Sequence, residues 1–116
     1  MIKLYHNNRC TKSRACLDLI IKSGLKFEVF QYLKLELTKK EISLIVDGLV
    51  DPIEDLVRKE PIIKGVKINF SNKREVISLL FKNKICLQRP IIFTGKEYVI
   101  CRPVEKVLKY LSNKIV

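Results

Sequence analysis

Cys10 stands in the sequence context that most favours chemistry. It follows a predicted short strand and lies in the turn that opens a predicted helix, within residues 6–14 (HNNRCTKSR). A thiol at a helix N-terminus faces unpaired backbone N–H groups and the positive end of the helix dipole. Both favour the thiolate, which is the nucleophilic form of cysteine. The segment also carries three basic side chains, and Ser13 can donate a hydrogen bond to the sulfur. We interpret Cys10 as a reactive thiol.

The arginines point to the kind of molecule that such a thiol would meet. The chain has 17 lysines but only 6 arginines, and a guanidinium offers a planar fork of donors that an ammonium lacks. Arg58 follows a short predicted helix, and Arg89 and Arg102 each directly precede a proline. If these side chains converge on one thiolate, they would bind a tetrahedral oxyanion. The alternative is that each pairs with a surface carboxylate.

The other cysteines and the only histidine are assigned to more local roles. Cys16, Cys86 and Cys101 each have an apolar neighbour and are interpreted as core thiols. A resolving role for Cys16 is left open, as is a place near the site for Cys101, which borders Arg102. No two cysteines have the spacing of a zinc knuckle or of a dithiol redox motif, so no metal site is predicted. His6 lies four residues before Cys10. It either tunes the thiol and contacts substrate, or stabilises the turn.

The basic composition limits the classes of partner. There are 23 lysines and arginines against 12 acidic residues, which gives a formal net charge of +11. A basic chain can bind nucleic acid, but the lysines are scattered and no aromatic stripe accompanies them. We therefore favour a solvated surface. No apolar run approaches the roughly 18 residues of a membrane span, and the N-terminus lacks a secretory signal. We expect a cytoplasmic protein with free thiols.

The order of predicted elements indicates an α/β fold in one domain, residues 1–116. A strand at 2–5, a helix from Thr11 to Gly24 and a strand at 27–32 form a β-α-β unit, which implies a parallel strand pair.

The middle of the chain is predicted to be helical and its last third to be β-β-α. The last third has strands at 90–93 and 97–100 joined by a glycine turn, followed by a helix from Pro103. A mixed four-stranded sheet flanked by helices accommodates this order. The signals for helix starts in the middle are Thr38 with Glu41, Asp51 with Pro52, and Asn72 with Glu75.

Five ordered segments of this sequence resemble the ArsC family, which comprises the glutaredoxin-coupled arsenate reductases and their short relatives. The first segment is similar to the family pattern Y-H-N-P-x-C-x-x-S-R, with Asn8 where the pattern has proline. The resemblance covers nearly the whole chain. The five segments are residues 5–14 (YHNNRCTKSR), 32–34 (YLK), 56–59 (LVRK), 87–92 (LQRPII) and 101–108 (CRPVEKVL).

The resemblance implies a thioredoxin-like fold with a helical insertion at about residues 38–83, no bound cofactor and no metal. It also implies attack of a cysteine thiolate on arsenate, a glutathione adduct, and reduction to arsenite by glutaredoxin. The implied residues are Cys10 as nucleophile; His6, Ser13 and Arg14 as support for the thiolate; Arg58, Arg89 and Arg102 as the oxyanion-binding set; and Pro90 as a cis-proline.

Two alternatives stay open beside arsenate reduction. One is a glutathione-dependent thiol reductase of unknown substrate that uses the same pocket, since arginines also bind the carboxylates of glutathione. The other is a regulator similar to the Spx proteins, which share the fold and bind RNA polymerase, for which the α subunit would be the partner. Spx proteins usually carry a two-residue-spaced dithiol, and Ser13 occupies the second position here.

Overall fold

The computed structural model describes residues 1–60 and 67–111. Helical turns of the 3₁₀ type lie at Ile53–Leu56, Lys84–Cys86 and Val104–Val107. The strands and α-helices, in chain order, are β1 (Ile2–Tyr5), α1 (Thr11–Ser23), β2 (Phe27–Phe30), α2 (Lys39–Gly48), α3 (Lys73–Lys82), β3 (Ile91–Phe93), β4 (Tyr98–Ile100) and α4 (Leu108–Leu111).

The strands form one mixed sheet in the order β2-β1-β3-β4. β1 runs parallel to β2 and antiparallel to β3, and β3 runs antiparallel to β4. The predicted β-α-β unit and the predicted hairpin are therefore both present, and β1 joins them at the centre. Within the described residues, no helix is both long and apolar enough to cross a bilayer.

Helices cover both faces of the sheet because the strands alternate. Ile2 and Leu4 point to one face, where they pack with residues of α1 and α4 such as Ile20 and Leu111. Tyr5 points to the other face and packs with residues of α2 and α3. Successive side chains of a strand point in opposite directions, so two separate cores result.

Two element boundaries differ from the sequence-based prediction, and one predicted region is only partly described. β2 ends at Phe30 rather than at residue 32, because the chain turns at Gln31, whose carbonyl accepts hydrogen bonds from Lys34 and Leu35. The final helix begins with the 3₁₀ turn at Val104–Val107 before α4. The predicted helical insertion includes residues 61–66, which lie outside the described residues.

Asp51 does not cap the short helix that it was predicted to start, which is a 3₁₀ turn. Its Oδ2 accepts the Ile100 N–H at 2.8 Å, and its Oδ1 pairs with Lys106 Nζ at 2.6 Å. The carboxylate is mostly buried. It therefore fastens the helical insertion to the end of β4 and to the segment that follows.

The N-terminal caps predicted for α2 and α3 are both present in the structure. Thr38 Oγ1 accepts the Glu41 N–H at 3.1 Å, and Asn72 Oδ1 accepts the Glu75 N–H at 3.0 Å. The reciprocal half of the Thr38 box is not used, because the Glu41 carboxylate turns towards the sheet. There it accepts from Tyr5 Oη and Lys3 Nζ, each at 2.7 Å.

We expect Thr38→Ala to lower the free energy of unfolding by about 1 kcal/mol, because the Glu41 N–H loses its acceptor at the start of α2. Denaturant titration measures the change. Thr38→Ser retains the hydroxyl and should retain most of the stability. An equal loss in both variants would show that the methyl group, and not the cap, is responsible.

Candidate active site

One edge of the sheet brings the candidate residues together. In the registered pairs, Tyr5 at the end of β1 lies beside Phe30 at the end of β2 and Ile91 at the start of β3. Ile91 in turn lies beside Ile100 at the end of β4. The residues that follow β1, β2 and β4, and those that precede β3, therefore leave the sheet at the same edge. In open α/β sheets, ligands bind at such an edge.

Cys10 is the N-cap residue of α1. Its backbone is extended, its N–H donates to the Asn7 carbonyl, and its own carbonyl accepts the Arg14 N–H that begins the helix. The residue is 8% exposed. The sulfur thus faces the first backbone N–H groups of α1, as the sequence predicted from the helix start.

The environment of Cys10 favours its thiolate. Burial raises the pKa of the thiol, but the Ser13 backbone N–H, the charge of Arg89 and the Lys12 backbone N–H lower it by more, so the pKa lies below its ordinary value. The Arg89 guanidinium also lies within hydrogen-bonding reach of the sulfur. Hydrogen bonds and an opposite charge both stabilise the charged form.

The Ser13 hydroxyl contacts the loop before Cys10. His6 Nε2 lies 2.7 Å from Asn8 Oδ1, and His6 Nδ1 lies 2.7 Å from Ser13 Oγ. The same Ser13 oxygen accepts the Asn7 N–H. The Ser13 backbone N–H lowers the pKa of the Cys10 thiol, and donation from the hydroxyl to the sulfur stays a prediction.

Asn8 and Arg14 fix the loop before Cys10. The Asn8 side chain accepts from His6, and its carbonyl accepts from Arg14 Nη1 at 2.9 Å. The family pattern has proline at position 8, so two hydrogen bonds hold this part of the loop where proline would hold it by its ring. Arg14 thus contacts the loop carbonyl, and its support of the thiolate stays a prediction.

The three predicted oxyanion-binding arginines line one cavity. Its volume is about 550 Å³, and Arg58, Arg89 and Arg102 lie in its wall. Cys10 is not part of the lining, but its sulfur lies within hydrogen-bonding reach of the Arg89 guanidinium, which is. The Arg89–Pro90 peptide bond is cis, as is the Arg102–Pro103 bond.

Main-chain carbonyls, and not carboxylates, orient two of these three arginines. Arg102 Nε donates to the Arg89 carbonyl at 2.9 Å, and Arg58 Nη1 donates to the Ile85 carbonyl at 3.1 Å. None of the ion pairs within residues 1–60 and 67–111 contains an arginine. The alternative of ordinary surface ion pairs therefore does not describe the arginines of the cavity, and their charge is available to an anion.

The remaining cysteines are core thiols. Cys16 and Cys101 are fully buried in the same apolar cluster, on the face of the sheet that α1 covers. The contact between their thiols and burial together raise the pKa of Cys101. Cys86 is buried in the cluster on the other face. In the described part of the chain, no group of three or more His, Cys, Asp or Glu side chains could hold a metal ion.

The profile of the ArsC family matches residues 5–110. The chain belongs to the ArsC family. The match spans the Cys10 loop, the helical insertion and the three arginines of the cavity, so the site just described lies within the ArsC domain. The four-stranded sheet with a helical insertion is the thioredoxin-like fold that the resemblance implied.

Relatives and solved structures agree with this membership. The ArsC chain is 32% identical over 116 residues to the uncharacterized protein YfgD of Escherichia coli (strain K12), covering 96% of this chain and 97% of that protein. It is 30% identical over 115 residues to the arsenate reductase of the same strain, covering 97% and 82%. The solved arsenate reductase from Vibrio cholerae has a TM-score of 0.79 at 22% identity, covering 94% and 96%, and shares the fold.

Two residues of this ArsC site escaped the sequence-based prediction. Tyr32 was assigned to the end of a strand, yet it lies beyond β2 at the edge that carries Cys10. Asp51 was assigned to a helix cap and instead holds Ile100 at the end of β4, two residues before Arg102. The signal for Tyr32 was its place just after a strand parallel to β1.

We expect the thiol of Cys10 to be alkylated by iodoacetamide with a midpoint below the ordinary value of about pH 8.5, because its pKa is lowered. Cys10 is 8% exposed whereas the other three cysteines are at most 1% exposed, so labelling of the folded protein reports Cys10. Arg89→Gln should move the midpoint upwards, since it removes a charge that stabilises the thiolate. Arg74→Gln, on the exposed side of α3, is the matched control. An unshifted midpoint in the wild type would contradict the activated thiolate.

We expect Ser13→Ala to lower the free energy of unfolding by about 1–3 kcal/mol, because His6 Nδ1 and the Asn7 N–H lose their buried partner. Its alkylation midpoint should move less than that of Arg89→Gln, since the backbone N–H groups and Arg89 remain. The reverse order of the two midpoint shifts would show that the hydroxyl acts on the sulfur directly.

Proposed function

We propose that this protein reduces arsenate to arsenite through the thiolate of Cys10, with glutathione as co-substrate and glutaredoxin as the protein reductant. One observation carries the proposal. The Cys10 sulfur has a lowered pKa and lies within reach of Arg89, which is one of three arginines on one cavity. Relatives named arsenate reductase, at about 30% identity, support arsenate as the oxyanion.

The geometry supports thiolate attack on a bound oxyanion. Arg58, Arg89 and Arg102 bind the oxygens and offset the charge that otherwise repels an anionic nucleophile. The sulfur forms a bond to arsenic, and one As–O bond breaks, with the oxygen leaving as water after it gains protons. Arsenic remains As(V) in this adduct.

Reduction requires two electrons, which two further thiols supply. Glutathione displaces a second oxygen of the adduct as water, so that As(V) is bound to both Cys10 and glutathione. A glutaredoxin thiol then attacks the glutathione sulfur, the bond from that sulfur to arsenic breaks, and its electron pair reduces As(V) to As(III). Water releases arsenite from Cys10 and restores the thiol. In sum, arsenate and two thiols yield arsenite, one disulfide between glutaredoxin and glutathione, and water.

The cavity has the charge pattern that glutathione requires. Glutathione carries two carboxylates and one ammonium group, and the lining contains Lys59 and Lys106 as well as Glu54 and Asp55 beside the arginines. The volume of about 550 Å³ exceeds that of a four-oxygen anion. All four cysteines are free thiols, which agrees with a cytoplasmic location, where the glutathione pool keeps thiols reduced.

We expect the purified protein to form arsenite from arsenate when glutathione and glutaredoxin are supplied. Cys10→Ser should abolish turnover, because the hydroxyl is not an activated nucleophile. Arg58→Ala, Arg89→Ala and Arg102→Ala should each lower kcat/KM by about tenfold or more, since a hydrogen bond to a charged group contributes about 1.5–3 kcal/mol. Arg74→Ala should keep wild-type activity. No arsenite formation by the wild type would refute arsenate reduction.

The mixed charge of the cavity also favours a second candidate, a glutathione-dependent thiol reductase. Guanidinium and ammonium groups bind glutathione carboxylates whether or not an oxyanion is the substrate. Glutathione mixed disulfides, supplied in the same assay in place of arsenate, separate the two functions. Turnover of the disulfide without turnover of arsenate would assign the second function.

A further inference from the structure

Two buried polar atoms next to Cys10 have no hydrogen-bond partner. They are Tyr32 Oη and Arg89 Nε, and in the described ranges 1–60 and 67–111 they are the buried side-chain nitrogen and oxygen atoms that lack one. Native proteins rarely leave such atoms unpaired, because the lost hydrogen bond to water is not replaced. Two exceptions at one place call for a common explanation.

Tyr32 reaches the site from the neighbouring parallel strand. It lies two residues beyond Phe30, the end of β2, and Phe30 is the registered partner of Tyr5 at the end of β1. The side chain is fully buried. It is close enough to Arg89 and Cys10 that the charges of both act on its hydroxyl.

The chemistry of Tyr32 Oη and Arg89 Nε indicates which kind of group could pair with them. Arg89 Nε–H can only donate, and a tyrosine hydroxyl near a guanidinium and a thiolate is a donor to anything that binds between them. Two donors without an acceptor, beside a nucleophile, are the arrangement that binds the oxygen of an anion. An oxygen of a bound anion would accept from both donors.

We propose that Tyr32 is a further catalytic residue, whose hydroxyl donates a hydrogen bond to an oxygen of the anion bound at Cys10 while Arg89 Nε–H donates to the same anion. The inference rests on the proposed function for the identity of that anion as arsenate. The Tyr32 hydroxyl complements the three arginines, because it is a neutral donor that adds a hydrogen bond without adding another charge beside the thiolate.

The protonation state of Tyr32 suits this role. Burial raises the pKa of the hydroxyl, Arg89 lowers it and the Cys10 thiolate raises it, with a net value of about 12. The hydroxyl therefore stays protonated at neutral pH and can donate a hydrogen bond. The pKa of the Cys10 thiol is lowered by its surroundings, which favours a thiolate beside this protonated donor.

Tyr32→Phe removes the hydroxyl alone and tests the proposal without relying on turnover. The first readout is the protection of Cys10 from iodoacetamide by arsenate and by inorganic phosphate. We expect the variant to need about tenfold more of either anion for half-protection, since it loses one hydrogen bond to a charged group. The matched control is Tyr110→Phe, a tyrosine of α4 on the other side of the sheet, which should behave as the wild type.

The second readout separates binding from a structural role. Because the Tyr32 hydroxyl has no partner within the described residues, its removal should leave the unfolding temperature without anion unchanged or raise it. The rise in unfolding temperature on adding anion should be smaller than in the wild type. A variant that melts several degrees lower without anion would assign the hydroxyl to the fold and overturn the proposal.

The third readout is kcat/KM for arsenate, which should fall by about 10²-fold, as when one oxyanion donor is removed. Equal protection of wild type and Tyr32→Phe would overturn the inference, as would the absence of protection by either anion in the wild type. A wild type that is protected by anions but forms no arsenite would refute the proposed function alone, and the protection ratio would still decide the role of Tyr32.

Discussion

The pairing of β1 with β2 and β3 at one edge of the sheet is the constraint on which the site depends. Because these strands end or begin together, the Cys10 loop and Arg89 meet although almost eighty residues separate them in the chain. The N-terminus of α1 then supplies the Ser13 backbone N–H, and the segment that leads into β3 supplies Arg89. The thiolate is stabilised from both sides, by a helix end and by a guanidinium.

The oxyanion-binding face is assembled by the backbone more than by ion pairs. Arg102 is tied to the Arg89 carbonyl, so two of the three arginines are held relative to each other. Asp51 holds the main chain just before Arg102 and takes Lys106 as its counter-ion. None of the three cavity arginines is in an ion pair among the described residues, although Glu54 and Asp55 also line the cavity. The hydrogen bonds to carbonyls thus orient Arg58 and Arg102 without pairing either of them to a carboxylate.

Patterns that are local in sequence predicted most of the fold. The roles of individual polar side chains could not be predicted in this way, because they depend on contacts that form only in the folded chain. The start of α1 at Thr11, the Thr38 cap and the glycine turn between β3 and β4 each depend on a few neighbouring residues. The roles of Ser13 and Asp51 do not depend on neighbouring residues alone, because a hydroxyl or a carboxylate binds whichever group the fold places beside it. Ser13 contacts His6, and Asp51 contacts the end of β4. The spacing of these residues along the chain does not predict either contact.

The distribution of satisfied and unsatisfied polar groups locates the site independently of any relative. His6, Ser13 and Asp51 are buried or nearly so, and each is paired within the protein. Tyr32 Oη and Arg89 Nε, in the described part of the chain, are not paired, although burial makes such atoms costly. A core selected for stability alone would have paired or replaced both. Their position beside Cys10 is explained if both atoms donate hydrogen bonds to the anion that the thiolate attacks. The same two donors would then lower the stability of the anion-free protein and contribute to the reaction.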